Sequence, residues 1–276
     1  MSIGYDVTGT GPPVLLLHGF PETRLMWREL VPVLADHHTV VTADLPGYGE
    51  STVAPGRSSK RAMAAELADL MAGLGFSEFA VAGHDRGARV AYRMALDLPD
   101  RVRALAVLDV VPAAAAWQRA DARLALSFWP WSLLAQPAPL PEAMLAGAAD
   151  AVVADALSQW GSPASVFPDD VRAAYAEQLR ANPAGICEEY RAGAGVDREH
   201  DEADLAAGRR IVCPVLVLWS KGSGLDTWYA DDGGPIGIWR AWCDSVEGEA
   251  VAGGHFFPEV HPEETARRLL AFFPTR

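Results

Sequence analysis

Cysteine is scarce in this 276-residue chain: Cys187, Cys213 and Cys243 form an odd, scattered set with no paired spacing. That excludes a disulfide framework and points to reduced thiols and a cytoplasmic setting. Cys213, beside an apolar strand, reads as core filler. Positive charge is also short. The 23 basic residues against 36 acidic ones leave a net charge of -13, which argues against a nucleic-acid or anionic-membrane surface. An anionic substrate therefore needs a local positive site. No apolar run is long enough to span a membrane, and the N-terminus lacks the basic start and apolar core of a signal peptide. Internal repeats and low-complexity linkers are absent. What remains is a chain long enough to bury a large core as one α/β domain with an insertion.

The apolar residues that are present come in short runs. Val14-Leu15-Leu16-Leu17 ends at His18-Gly19-Phe20-Pro21, and Thr39-Val40-Val41-Thr42-Ala43 ends at Asp44-Leu45-Pro46-Gly47-Tyr48-Gly49. Both read as strands entering Gly/Pro-punctuated loops. Helical spacing of apolar residues predicts helices over 25–35 and 60–74, the second with Met63, Leu67, Leu70, Met71 and Leu74 on one face. Further strands are expected at Phe79-Ala80-Val81-Ala82, at 104–109 ending in Asp109, at Val215-Leu216-Val217-Leu218, and weakly at Ala250-Val251; further helices over 86–98 and 263–273. Strands alternating with helices imply a mostly parallel sheet flanked by helices. The rhythm breaks at Pro112, so residues 113–205 read as an inserted helical cap on a core of 1–112 and 206–276. Little precedes Val14, so leading strands are expected to be short or absent. The glycine-rich segment 222–237 reads as an irregular loop without a role.

The stretch that organises the rest is Gly83-His84-Asp85-Arg86-Gly87, between an apolar strand and a small-residue helix. It places Asp85 at the apex of a sharp turn. An Asp in a Gly-flanked turn can simply be a local hydrogen bonder. Two other pieces argue for chemistry: the His18-Gly19-Phe20-Pro21 loop upstream, and Gly253-Gly254-His255-Phe256 in a loop near the C-terminus. Together they follow the strand–nucleophile–helix pattern of the G-x-S-x-G enzymes, with Asp in place of Ser. A carboxylate is ionised at neutral pH and needs no base to act as a nucleophile, and it attacks well at saturated carbon.

On these motifs the chain resembles the α/β-hydrolase superfamily, and within it the haloacetate and fluoroacetate dehalogenases. The most specific piece is Gly-His-Asp-Arg-Gly-Ala-Arg-Val at 83–90, supported by Leu134-Ala135-Gln136-Pro137 and Glu189-Tyr190-Arg191-Ala192-Gly193-Ala194. The resemblance implies an α/β-hydrolase fold and a cofactor- and metal-independent hydrolytic dehalogenase of a short 2-halocarboxylate. Asp85 would form an alkyl ester, which water activated by His255 would hydrolyse. The backbone N–H groups of Phe20 and Arg86 would form the oxyanion hole. Asp109 would orient His255, although Asp226 and Asp231 follow a later strand where this fold can also place its acid. Arg86 and Arg89, three residues apart at a helix start, suit a substrate carboxylate, unless one or both form structural salt bridges.

In the resembling family a His-Trp pair and a Tyr donate to the departing halide. Here the positions are Pro130, Trp131 and Tyr190, and Pro130 has no donor. One lost hydrogen bond to a charged partner is worth about 1.5–3 kcal/mol. Fluoride is the leaving group that needs such help most, so chloro or bromo acids are expected to outpace fluoroacetate. Trp160 either lines the pocket or packs in the cap. An epoxide hydrolase using the same Asp85 and His255 is the nearest alternative, and a non-catalytic ligand-binding protein of the same fold is a further one. The expected partner is a small anionic substrate; the resemblance also implies a homodimer.

Overall fold

A computed structural model describes residues 2–275. Among them seven strands form one sheet: β1 Tyr5–Thr8, β2 Pro13–Leu17, β3 Thr39–Ala43, β4 Phe79–His84, β5 Val102–Leu108, β6 Val215–Ser220 and β7 Val246–Val251. Their order is β1-β3-β2-β4-β5-β6-β7, parallel throughout except for β1, which runs antiparallel on β3. Successive side chains of a strand point to opposite faces, and here both faces are covered. On one face Leu15, Val41, Val81, Val107 and Val217 pack with Met63, Leu67, Val90 and Met94 of the helices Lys60–Gly73 and Arg86–Asp97. On the other, Val14, Leu16, Val40, Ala106 and Leu216 pack with Trp27, Leu34, Phe257 and Leu269. Continuous apolar runs such as that of β2 are the result.

Several elements depart from the sequence reading. A leading strand exists, but all four residues of β1 are exposed, so it carries no apolar signature. The stretch 25–35 is a 3-10 turn, Arg24–Trp27, followed by a short helix, Val31–Ala35. Pro32 accounts for the break, because its ring would clash with the carbonyl of Arg28 in a continuous helix. The segment 222–237 is largely helical, with Gly224–Trp228, Ala230–Asp232 and Gly234–Trp239. β7 is six residues long, most of them exposed or half-buried, which is why only its end reads as apolar.

Between β5 and β6 the chain runs through an inserted helical segment, Ala113 to Ala206, whose Leu124, Phe128 and Trp131 lie beside Asp85 and Asp109 at the ends of β4 and β5. Buried polar contacts fasten it to the core. Tyr92 donates to Asp201 at 2.8 Å, Lys60 N–H to Asp197 at 2.8 Å, Gln178 to Pro21 O at 2.8 Å, and Arg93 pairs with Asp204. Among the described residues no helix is long and apolar enough to cross a membrane, and no group of His, Cys, Asp or Glu is placed to hold a metal ion.

Candidate active site

β4 ends at His84 and the next helix begins at Arg86, so Asp85 alone turns the chain, at φ 44° and ψ -112°. Side chains rarely adopt this backbone, and it aims the carboxylate out of the sheet. The flanking glycines make the turn sterically feasible. A Cβ on Gly83 would stand 2.4 Å from Ala88 N, and one on Gly87 would stand 2.4 Å from Leu17 O. Nearby, the Phe20 N–H donates to Asp85 Oδ1 at 3.3 Å. Arg86 is the first residue of its helix, so its own N–H has no intrahelical acceptor.

Asp109 follows β5, at φ 55°. Its Oδ2 lies 2.6 Å from His255 Nδ1, and its Oδ1 accepts the Ser220 N–H at 2.8 Å. The two bonds orient the acid and engage Nδ1 of the imidazole, which leaves Nε2 without a partner among the described residues. The other acids are occupied elsewhere or face solvent: Asp226 accepts the Trp219 indole N–H at 2.7 Å and the Gly222 N–H at 2.8 Å, and Asp231 is exposed.

Asp85, Asp109 and His255 share a small chamber of about 30 Å³ with Arg89, Val111, Ala116, Leu124, Phe128, Trp131, Leu225, Trp228 and Tyr229. One water needs roughly 10–15 Å³ by this measure, so the chamber suits a very small molecule. Beyond it lies a larger, more open cavity of about 490 Å³, which also reaches Asp109 and His255. Phe128 and Trp228 line both spaces, their rings 5.5 Å apart edge to face.

Of the residues singled out from the sequence, Asp85, Asp109, His255, Arg89 and Trp131 meet in this chamber. Arg86, Pro130 and Tyr190 are buried but are not among its lining residues, and Trp160 lines the outer cavity, 5.4 Å from the His255 ring. The two arginines face different fates. The Arg86 guanidinium is bound by Glu189 from the cap, with Nε 2.9 Å from each carboxylate oxygen. The same Glu189 accepts from Tyr48 at 3.0 Å and pairs with Lys60. Arg89, 5% exposed, pairs with no carboxylate among the described residues; its Nη1 donates to Val111 O at 2.9 Å and its guanidinium lies 4.4 Å over the Trp131 ring. The Trp131 indole N–H also lacks a partner among the described residues. Those of Trp117, Trp129 and Trp160 are bound to Gly193 O, Asp155 and Ser127 O.

Electrostatics favour an ionised Asp85. Burial by itself would raise the Asp85 carboxyl, but His255, Arg86, Arg89 and His84 outweigh it and hold it below the usual carboxylate value. Arg89 is lowered, first by burial and then by the neighbouring Arg86 charge. Burial would also lower His84, yet Glu22, Asp85 and Asp109 bring it up to about 9.

Sequence reasoning missed several members of the site. Leu225, Trp228 and Tyr229 come from the segment 222–237, whose glycines hid its helices; the Trp228-Tyr229 pair just after a core strand was the available signal. Glu189, Lys60 and Glu22 were missed because buried charges look like surface charges in a sequence.

A model of the alpha/beta hydrolase fold family matches residues 12–262. A fluoroacetate dehalogenase of Burkholderia sp is 39% identical over 99% of this chain and 90% of its own length. A soluble epoxide hydrolase of Corynebacterium sp. is 29% identical over 98% of this chain and 92% of its own. Among solved structures, an α/β-hydrolase protein of Nostoc sp PCC 7120 superposes with a TM-score of 0.91 at 40% identity, over 98% of this chain and 93% of that one.

Proposed function

Because the chain belongs to the α/β-hydrolase fold family, we propose that it hydrolyses the carbon–halogen bond of a short 2-halocarboxylate through an ester on Asp85. The observation that carries this reading is Arg89: a buried guanidinium, free of any carboxylate partner among the described residues, in the same small chamber as a buried nucleophile. A buried charge without a counter-ion is costly, and a substrate carboxylate supplies one. Arg86, already matched by Glu189, contributes field and its backbone N–H rather than a substrate contact.

The chemistry runs in two displacements. With Oδ1 held by the Phe20 N–H, Asp85 Oδ2 attacks the α-carbon in line, and the halide leaves with the electron pair of the broken bond. The unpartnered Trp131 N–H faces the departing anion. His255 then takes a proton from water as its oxygen attacks the Asp85 carbonyl carbon, and the negative charge that develops on Oδ1 is met by the N–H groups of Phe20 and Arg86. Collapse breaks the bond to the product oxygen, which takes the proton from His255 and leaves as the 2-hydroxy acid, and Asp85 returns to a carboxylate by losing its remaining proton to solvent.

A single turnover in heavy-oxygen water with excess enzyme tests the covalent path: product without label, and label in the Asp85 peptide, are expected. In a substrate panel, chloro- and bromoacetate should release halide faster than fluoroacetate, because fluoride is the poorest leaving group and, of Pro130, Trp131 and Tyr190, Trp131 alone brings an N–H to the chamber lining. Equal defluorination would refute that preference. Epoxide turnover without halide release would favour the competing epoxide hydrolase reading, and turnover of nothing in the panel would favour a binding protein.

The arginines separate the substrate role from the structural one. Arg89→Met should lower kcat/KM for a halo acid by about 10- to 100-fold, mostly through KM. Arg86→Met should instead destabilise the fold by about 3 kcal/mol, read by denaturant unfolding, because Glu189 loses its bidentate partner. Unchanged KM in the first variant would refute the assignment of Arg89.

A further inference from the structure

We propose that His84 is a permanently protonated positioning residue: its two ring N–H groups bind Glu22 and the His255 backbone carbonyl, tying the base loop to the elbow and opposing a second positive charge on His255. This rests on the reading of His255 as the base, and it goes beyond the residues that touch substrate.

The geometry leaves the ring little choice. Its Nδ1 lies 2.9 Å from Glu22 Oε2, and its Nε2 lies 2.9 Å from His255 O. A carbonyl oxygen only accepts, so Nε2 carries a proton; Glu22 Oε2, which already accepts the Gly19 N–H, accepts from Nδ1 as well when Glu22 is a carboxylate, and the ring is then a cation. His18, equally buried, is the internal contrast. There Nδ1 faces Gly19 O at 2.8 Å while Nε2 accepts the Leu45 N–H at 3.0 Å, which is the pattern of a neutral ring. Glu22 is itself fully buried; its Oε2 also accepts the Gly19 N–H at 3.1 Å, and its Oε1 has no partner. A buried carboxylate so poorly hydrogen-bonded needs a cation beside it, and His84 is the group in contact.

The consequence concerns catalysis. The His84 and His255 ring centroids are 4.6 Å apart, and Asp109 binds Nδ1 of His255. The groups that face His84 are Glu22 and His18 from the loop after β2, Asp85 from the elbow, Asp109 from the end of β5, and His255. Asp109 favours the imidazolium that forms when His255 deprotonates water. A fixed cation on the adjacent His84 ring disfavours it, so the proton passes readily to the departing product oxygen and the base recovers for the next turnover. Through Glu22 and Gly19 the same network also holds the loop that carries the Phe20 N–H.

Nitrogen-15 NMR of the ring-labelled wild-type enzyme tests the charge directly, with His84 identified by difference against His84→Gln. Both ring nitrogens should be protonated at about pH 7–8; an unprotonated nitrogen there, with the proton on Glu22, would overturn the proposal. His84→Gln keeps an N–H for the His255 carbonyl but loses the charge. In that variant the acid-side midpoint of the ester-hydrolysis step should move up by about one pH unit. A slower enzyme with an unmoved midpoint would mark His84 as structural only and also overturn the proposal. If wild type forms no ester at all, the dehalogenase reading fails, while the NMR result still decides the charge of His84.

Discussion

Asp85→Ala should lower halide release from a haloacetate by about 10⁴-fold or more, since every other part of the site remains while the attacking oxygen is gone. The carboxylate takes one hydrogen bond among the described residues, from the Phe20 N–H, so its removal leaves few broken contacts. Its backbone is another matter. At φ 44° and ψ -112° any side chain is strained, and glycine is not. Asp85→Gly should therefore be as inactive as Asp85→Ala but more stable by about 1 kcal/mol. Halide release and thermal unfolding of the two variants separate chemistry from strain. Activity in either within tenfold of wild type would sink the covalent mechanism, because no other carboxylate in the chamber except Asp109, bound to His255 and Ser220, could replace it.

His255→Gln should stop the reaction halfway. The first displacement needs no base, because the charges around Asp85 already keep it ionised despite its burial. One equivalent of halide per chain should appear in a burst at close to the wild-type rate. The second displacement needs a proton acceptor and should slow by about 10²- to 10⁴-fold, so the protein accumulates as the ester. Rapid-quench halide measurement and intact mass, showing a carboxymethyl adduct on the Asp85 peptide after haloacetate, provide the check. Steady turnover without a burst or an adduct would mean that water attacks the substrate directly. An epoxide hydrolase would show a hydroxyalkyl adduct from an epoxide and no reaction with the halo acid, so the same variant discriminates the competing chemistry.

The central strands were legible because burial on both faces leaves β2 through β6 nearly unbroken apolar runs. β1 was illegible for the opposite reason: an exposed edge strand has no apolar pattern to read. The turn at Asp85 was legible because Gly83 and Gly87 answer local steric demands within a few residues. The partner of His255 was only narrowed by the sequence, since acids follow both β5 and β6. Hydrogen bonds from Trp219 and Gly222 to Asp226, and from Ser220 to Asp109, separate the two roles. Likewise, a spacing of three residues makes Arg86 and Arg89 look equivalent, and only the fold distinguishes them.

By itself, then, the sequence determined which groups are present and how the backbone turns at Asp85: the elbow, the loop at Phe20, the histidine loop and a helical segment between β5 and β6. Those features depend on sterics and periodicity within a few residues of chain. The tertiary structure alone decided which charges are matched. Glu189 reaches Arg86 across 103 residues, Glu22 reaches His84 across 62, and Arg89 is left facing the chamber. Such pairing depends on through-space distance and on exclusion of water, and neither is encoded in the local pattern of the chain.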